Sequence, residues 1–178
     1  MACTQNLAGL AMSCETSKGG IKEVYLASYP GEGESGITSG ITVSAGVVTD
    51  IDSAVTFYHY AFRRNTGSMT STLNVDDANG TNFVSTDLVL QFNRMDSTKR
   101  IEMSALSLGQ VIAVVVDSNG TAWVLGLNEA VTASAGTGQT GQNKTDGNFY
   151  QLTLQANDDT YPYEYVGGID KLTVSQGA

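Results

Sequence analysis

Few residues of this chain have the type and spacing to do chemistry, and each leads back to structure. The one histidine, His59, sits inside the aromatic run VTFYHYAF (55–62). No G-x-S-x-G elbow presents a nucleophile to it, so a structural histidine is expected. Gly136-Thr137-Gly138-Gln139-Thr140-Gly141 satisfies G-x-G-x-x-G. A dinucleotide site needs that turn to open a helix whose N-terminus holds the pyrophosphate, and the QNKTDGN that follows has no helical apolar period. Lys144-Thr145 resembles the end of a phosphate loop, but Asn143 stands where the glycine must be. Asp76-Asp77 and Asp117 suggest calcium. Counting back from Gly80 or Gly120 to the first ligand of an EF-hand reaches Val75 or Val115, so turn chemistry accounts for these aspartates. Asp158-Asp159 has the makings of an acid–base pair, yet no cleft is indicated around it and a solvated loop is expected. Cys3 and Cys14 make half a zinc site at best and are expected to be free thiols. No catalytic, cofactor-binding or metal residue emerges. The chain reads as a building block rather than an enzyme.

Charge narrows the partners. Nine basic residues against eighteen acidic ones give a formal net charge of −9, which repels polyanions and anionic membranes as a whole. A groove that grips DNA is not expected on this ground. An acidic wall past which nucleic acid moves without sticking is compatible with it, because every Lys or Arg on a phosphate adds salt-dependent affinity. MACTQNLAGLAMSC lacks a basic n-region and a sustained apolar stretch, so no signal peptide is expected, and no run approaches the roughly 20 apolar residues of a membrane span. The expected compartment is the cytosol.

The elements that must carry any site are mostly strands. Twenty glycines, two prolines and many Thr, Val, Ser and Tyr favour a predominantly β domain with many turns. Its centre is 106–131, where VIAVVV and TAWVLGL flank Asp117-Ser118-Asn119-Gly120. The first arm is β-branched and apolar throughout, as a strand covered on both faces must be, and Asn119-Gly120 tolerates the positive φ of a tight turn. Residues 1–20 read as an N-terminal arm that orders against a neighbour, and 21–178 as one domain. Strands are expected at 21–29, at 41–51 with a bulge at Gly46, at 55–62 with aromatics covered on both faces, and at 69–76 and 83–92. Later ones follow at 149–156 and 163–166, with a short closing strand at 169–174. One amphipathic helix, 96–108, is capped by Asp96 and would turn Ile101, Ala105 and Leu108 inward. The hairpin at 63–87 is polar and expected to project, and Gly-rich 133–148 reads as a long mobile loop. Residues 77–84 match 117–124 at five of eight positions, a likeness that duplication of a hairpin unit or strand-turn-aromatic chemistry used twice would produce.

Three segments carry a resemblance: Cys3…Cys14…Gly19-Gly20-Ile21-Lys22-Glu23-Val24-Tyr25, Tyr60 through Ser68, and Asp117-Ser118-Asn119-Gly120…Trp123-Val124-Leu125-Gly126. Together they resemble structural proteins of bacteriophages and prophages of Bacteroides-type hosts, and the order of elements is similar to the major tail tube protein family. The resemblance implies a β-sandwich or barrel of antiparallel strands with one helix, forming stacked, hexameric rings in the virion tail after synthesis in the host cytoplasm. Its partners would be further copies of itself, tail proteins such as the tape measure and terminator, and double-stranded DNA passing through the lumen without specific binding; no membrane is involved. Arg63, Arg64, Asp76, Asp77, Asn79, Cys3 and Cys14 are the candidates for contacts between copies. Two other readings are a head-tail completion or capsid decoration protein, and a carbohydrate-binding β-sandwich that stacks sugars on Trp123, Tyr58, Tyr60, Tyr161, Tyr163 and Tyr165.

Overall fold

Alternating apolar side chains organise the molecule into layers around one strand pair. The computed structural model describes residues 8–175. Strand β1 (Ile21–Ser28) is followed by β2 (Ile41–Ser44), β3 (Val47–Ile51), β4 (Thr56–Tyr60), β5 (Ser68–Asp76) and β6 (Thr81–Asn93). After helix α1 (Ser97–Leu108) come β7 (Val111–Asp117), β8 (Ala122–Leu125), β9 (Thr132–Gln139), β10 (Phe149–Asp158), β11 (Tyr163–Glu164) and β12 (Thr173–Ser175). A six-stranded sheet has the order β11-β8-β7-β1-β4-β12, a four-stranded sheet the order β5-β6-β10-β9, and β2 pairs with β3. All pairings are antiparallel except β4 with β12. The fold is mainly β and sandwich-like, with one helix, as the composition requires.

Period-two alternation splits the core of the six-stranded sheet between its faces. Val24, Leu26, Ala113 and Val115 meet Leu88, Leu90, Leu152 and Leu154 of the four-stranded sheet. Tyr25, Ala27, Ile112 and Val114 point the other way, onto Val48, Ile51, Tyr165 and Leu172. Six consecutive residues of β7, Val111 to Val116, are buried, which is why the run is apolar without alternation. Each such side chain contributes roughly 1.5–3 kcal/mol relative to exposure.

Several expectations are revised. Residues 41–51 are not one bulged strand but a hairpin, β2–β3, turning on Ala45 (φ 52°) and Gly46 (φ 81°). Two successive positive φ values define a type I′ turn, which Ala at the first position disguises in the sequence. Residues 133–148 are not a single loop: Thr132–Gln139 is a strand whose backbone pairs with β10, and Gly138 serves close approach. A Cβ on Gly138 would lie 2.8 Å from the Tyr150 ring. Only 140–148 remain as a loop, gathered by Asp146, whose Oδ2 accepts the N–H groups of Gln142 at 2.8 Å and Asn143 at 2.7 Å. The helix begins as expected, with the Asp96 side chain accepting from the Lys99 N–H, but its inward side is Lys99, Met103 and Leu106. Ile101 is 59% and Leu108 91% exposed, because two stripes of equal spacing lie side by side and the shallow contact with β9 takes the other one. In β4, Phe57 is buried but Tyr58 and His59 are exposed, since only three-residue β12 lies beyond that strand. The closing segment 169–174 is a 3-10 turn, Ile169–Lys171, before β12.

Candidate assembly surface

The outward face of the four-stranded sheet follows directly from register. Val84, Thr86, Leu88, Leu90 and Phe92 of β6 face the core, so Ser85, Asp87, Val89, Gln91 and Asn93 face out. Their partners on β10 are Asn157, Gln155, Thr153, Gln151 and Phe149, and β5 adds Ser68, Thr70, Thr72, Asn74 and Asp76 in the same register. Thr132, Ala135, Thr137 and Gln139 of β9 complete the face. It carries two carboxylates, Asp76 and Asp87, and no Lys or Arg. Asp87 accepts a hydrogen bond from Gln155 Nε2 at 2.9 Å, which ties adjacent strands together.

Among the described residues, both edges of this sheet lack a further strand: β5, nine residues long, and β9, eight. Isolated domains usually guard such edges with Lys or Pro. Neither strand contains either residue. β10 ends opposite Val84, so the β5–β6 pair runs past it as a two-stranded tip. Residues 75–83 are exposed, Val75 at 58% and Phe83 at 41%. The expected projection at 63–87 is therefore confined to this tip, because β6 from Val84 onward is core.

The tip is held by its own carboxylate. Asp76 Oδ1 accepts from the N–H groups of Ala78 (3.0 Å) and Asn79 (3.3 Å), and Asn79 Nδ2 donates to Asp76 Oδ2 at 2.6 Å. These donors hold the exposed Asp76 carboxyl below the usual carboxylate range. Asp117 does the same job in the β7–β8 turn, accepting from Asn119 (2.8 Å) and Thr121 (2.9 Å). The working aspartates are thus one position out of step with the sequence match of 77–84 to 117–124, so the likeness is turn chemistry in two registers.

Of the candidate residues, Asp76, Asp77 and Asn79 come together at the tip. Arg63 and Arg64 lie in the turn before β5, at its opposite end and about 30 Å away by strand rise. Cys14 is exposed in the arm, and Cys3 lies outside the described residues. Residues 8–20 form no strand or helix and are all exposed. Their end is stapled to the β7–β8 turn: the Lys18 N–H donates to Asn119 Oδ1 at 2.8 Å, and Ser118 N–H donates to the Gly20 carbonyl at 3.0 Å.

A second concave feature escapes sequence reading because two distant segments make it. Between β4 and α1 lies a groove of about 510 Å³ floored by Tyr58, Tyr60, Phe92, Met103 and Leu106. The Tyr60 hydroxyl donates to Glu102, and burial, reinforced by that carboxylate, pushes the phenol well above its ordinary value. His59 tilts against Tyr25 with ring centroids 5.1 Å apart. The aromatic run announced β4, but nothing local predicted which helix face would lie over it.

The remaining chemical candidates disperse. Gly136 and Gly138 are strand residues, and a short loop rather than a helix follows Gly141. Asp158 is not solvated, as its sequence setting suggested, but 6% exposed, accepting the Asn128 N–H at 2.9 Å and so pinning the corner after β8 to the end of β10. Burial pushes its carboxyl above its ordinary value, against the pull of the backbone N–H groups of that corner. Asp159 beside it is exposed. Trp123 is half-buried with its Nε1–H directed at Asp117 Oδ2 (3.4 Å), and Tyr165 is 5% exposed. Among the described residues, no three His, Cys, Asp or Glu side chains group as metal ligands, and no helix is long and apolar enough to cross a membrane. Comparison with known proteins finds no matching family model, curated protein or solved structure.

Proposed function

We propose that this chain is a structural subunit that joins copies of itself head to tail into rings, which stack into a tube of the phage-tail type for the passage of double-stranded DNA. One observation carries the reading: among the described residues, a four-stranded sheet whose two edges lack a further strand and whose outward face holds Asp76 and Asp87 but no cation. Pairing β5 of one copy with β9 of the next would satisfy both rows of backbone groups, and a heterologous contact of that kind closes a ring when its rotation closes. The resulting inner wall would be mostly polar and cation-free. DNA phosphates would find no lysine or arginine on which to release counterions, so the duplex would slide past. The β5–β6 tip, which overhangs the sheet, is suited to reach a neighbouring ring.

Negative-stain microscopy of the purified protein over a range of concentration and salt tests this. Rings or tubes of uniform diameter are the expected result. Short oligomers without tubes would favour a head-tail completion or decoration role, and a monomer under every condition would overturn the proposal.

A further inference from the structure

We infer that the groove between β4 and α1 receives residues 8–14 of the N-terminal arm of a second copy, with Leu10 and Met12 as its anchors. The inference rests on the self-assembly reading above and names one contact within it. Leu10 is 104% and Met12 94% exposed, the largest apolar exposures in the described chain. Their spacing puts both on one side of an extended segment. The segment, AGLAMSC, is uncharged, and Ala8, Gly9, Ala11 and Ser13 between and around the anchors let its backbone lie close to a surface.

The groove matches that segment in chemistry. Its floor of Tyr58, Tyr60, Phe92, Met103 and Leu106 is apolar, and Thr98 and Lys99 on its rim offer donors to backbone carbonyls. The choice of a second copy over the same chain comes from how the arm is anchored. In the six-stranded sheet β7 and β8 lie on one side of β1 and β4 on the other. Lys18 and Gly20 are bonded to Asn119 and Ser118, so the arm starts at the β7–β8 turn, across β1 from β4, and with residues 8–20 all exposed it does not fill its own groove. From Lys18 to Met12 an extended chain covers about 20 Å, enough to cross to an adjoining subunit.

Cysteine cross-linking of full-length chains tests this, with Cys3→Ser and Cys14→Ser as background. A chain carrying Met12→Cys is mixed with one carrying Ala61→Cys in the groove, with one carrying Thr98→Cys on its rim, and with a control carrying Ser44→Cys, exposed on β2 in another layer. The expected result is a disulfide-linked dimer that forms at least about tenfold faster at Ala61 or Thr98 than at Ser44, and that excess wild-type chain suppresses. A chain carrying Met12→Cys and Ala61→Cys together that links only to itself, at a rate independent of concentration, would overturn the second-copy assignment. Tubes in the microscope with no excess linkage at either groove position would overturn the groove and leave the tube reading standing. Groove linkage in a chain that never passes beyond small oligomers would uphold the groove and sink the tube.

Discussion

Placing lysines on the outward face of the four-stranded sheet should turn a wall that DNA passes into one that holds it. Ser85, Gln91 and Thr153 lie on that face in three different cross-strand rows, so no two new cations would be directly opposed in Ser85→Lys/Gln91→Lys/Thr153→Lys. Each lysine that meets a phosphate adds about 0.9 to the slope of log affinity against log salt, so three contacts per copy give a slope of roughly 2.7. Lowering salt fourfold should then raise affinity about 40-fold for each copy engaged, and more for a ring. Wild-type tubes, with no cation on the face, should show almost no slope. Co-sedimentation of preassembled tubes with a short duplex across a salt series measures the slope, and a nuclease challenge of the bound DNA reports where it lies. Protected DNA on the variant, and none retained by wild type, is expected. Nuclease-sensitive binding would show that the face lies on the outside of the assembly, and steep salt-dependent binding by wild type would refute the cation-free wall.

Other outcomes follow from the packing. Leu88→Ala, at a fully buried site between the two large sheets, should destabilise by about 2–5 kcal/mol, read as a lower denaturant midpoint at unchanged slope. Ala45→Asn should stabilise by up to about 1 kcal/mol, because Ala45 sits at φ 52° where asparagine is better tolerated; a lower melting temperature would contradict the I′ turn. Burial, with the hydrogen bond to Glu23 at 2.8 Å, pushes the Tyr25 hydroxyl up to about 12. A pKa raised on folding stabilises in full below the unfolded value near pH 10 and is lost as pH rises through the folded one, so alkaline denaturation should steepen between about pH 10 and 12 and flatten in Tyr25→Phe. Removing residues 1–17, which spares the Lys18 and Gly20 bonds to the β7–β8 turn, should leave the unfolding free energy from denaturant titration within about 0.5 kcal/mol of wild type while impairing stacking.

How much of this was legible beforehand depends on the range of the interaction. VIAVVV declared a doubly covered strand because only burial on both faces tolerates six apolar residues in a row, and all six are buried. Asp96 declared the helix start because a cap is a bond between neighbours three residues apart. The same locality made Asp76 and Asp117 readable as turn residues rather than calcium ligands. Where the deciding partner lies far along the chain, local pattern misled. Gly136 and Gly138 look like loop until β10 lies beside them, and the choice between the stripe at 101, 105 and 108 and that at 99, 103 and 106 is made by the surface under the helix.

The outward face belongs wholly to the second category. Its residues come from four strands spread over residues 68–157, and most are ordinary Ser, Thr, Asn or Gln that alternate in sequence with residues turned to the other face. The sequence by itself determined that the chain is acidic, β-rich and centred on one buried hairpin, since composition and two-residue alternation depend on no distant contact. Only pairing across the sheet decided that its few cations stay off one face, that two edges are left without a partner, and that an apolar groove opens between β4 and the helix. Register is a relation between strands, and no single strand contains it.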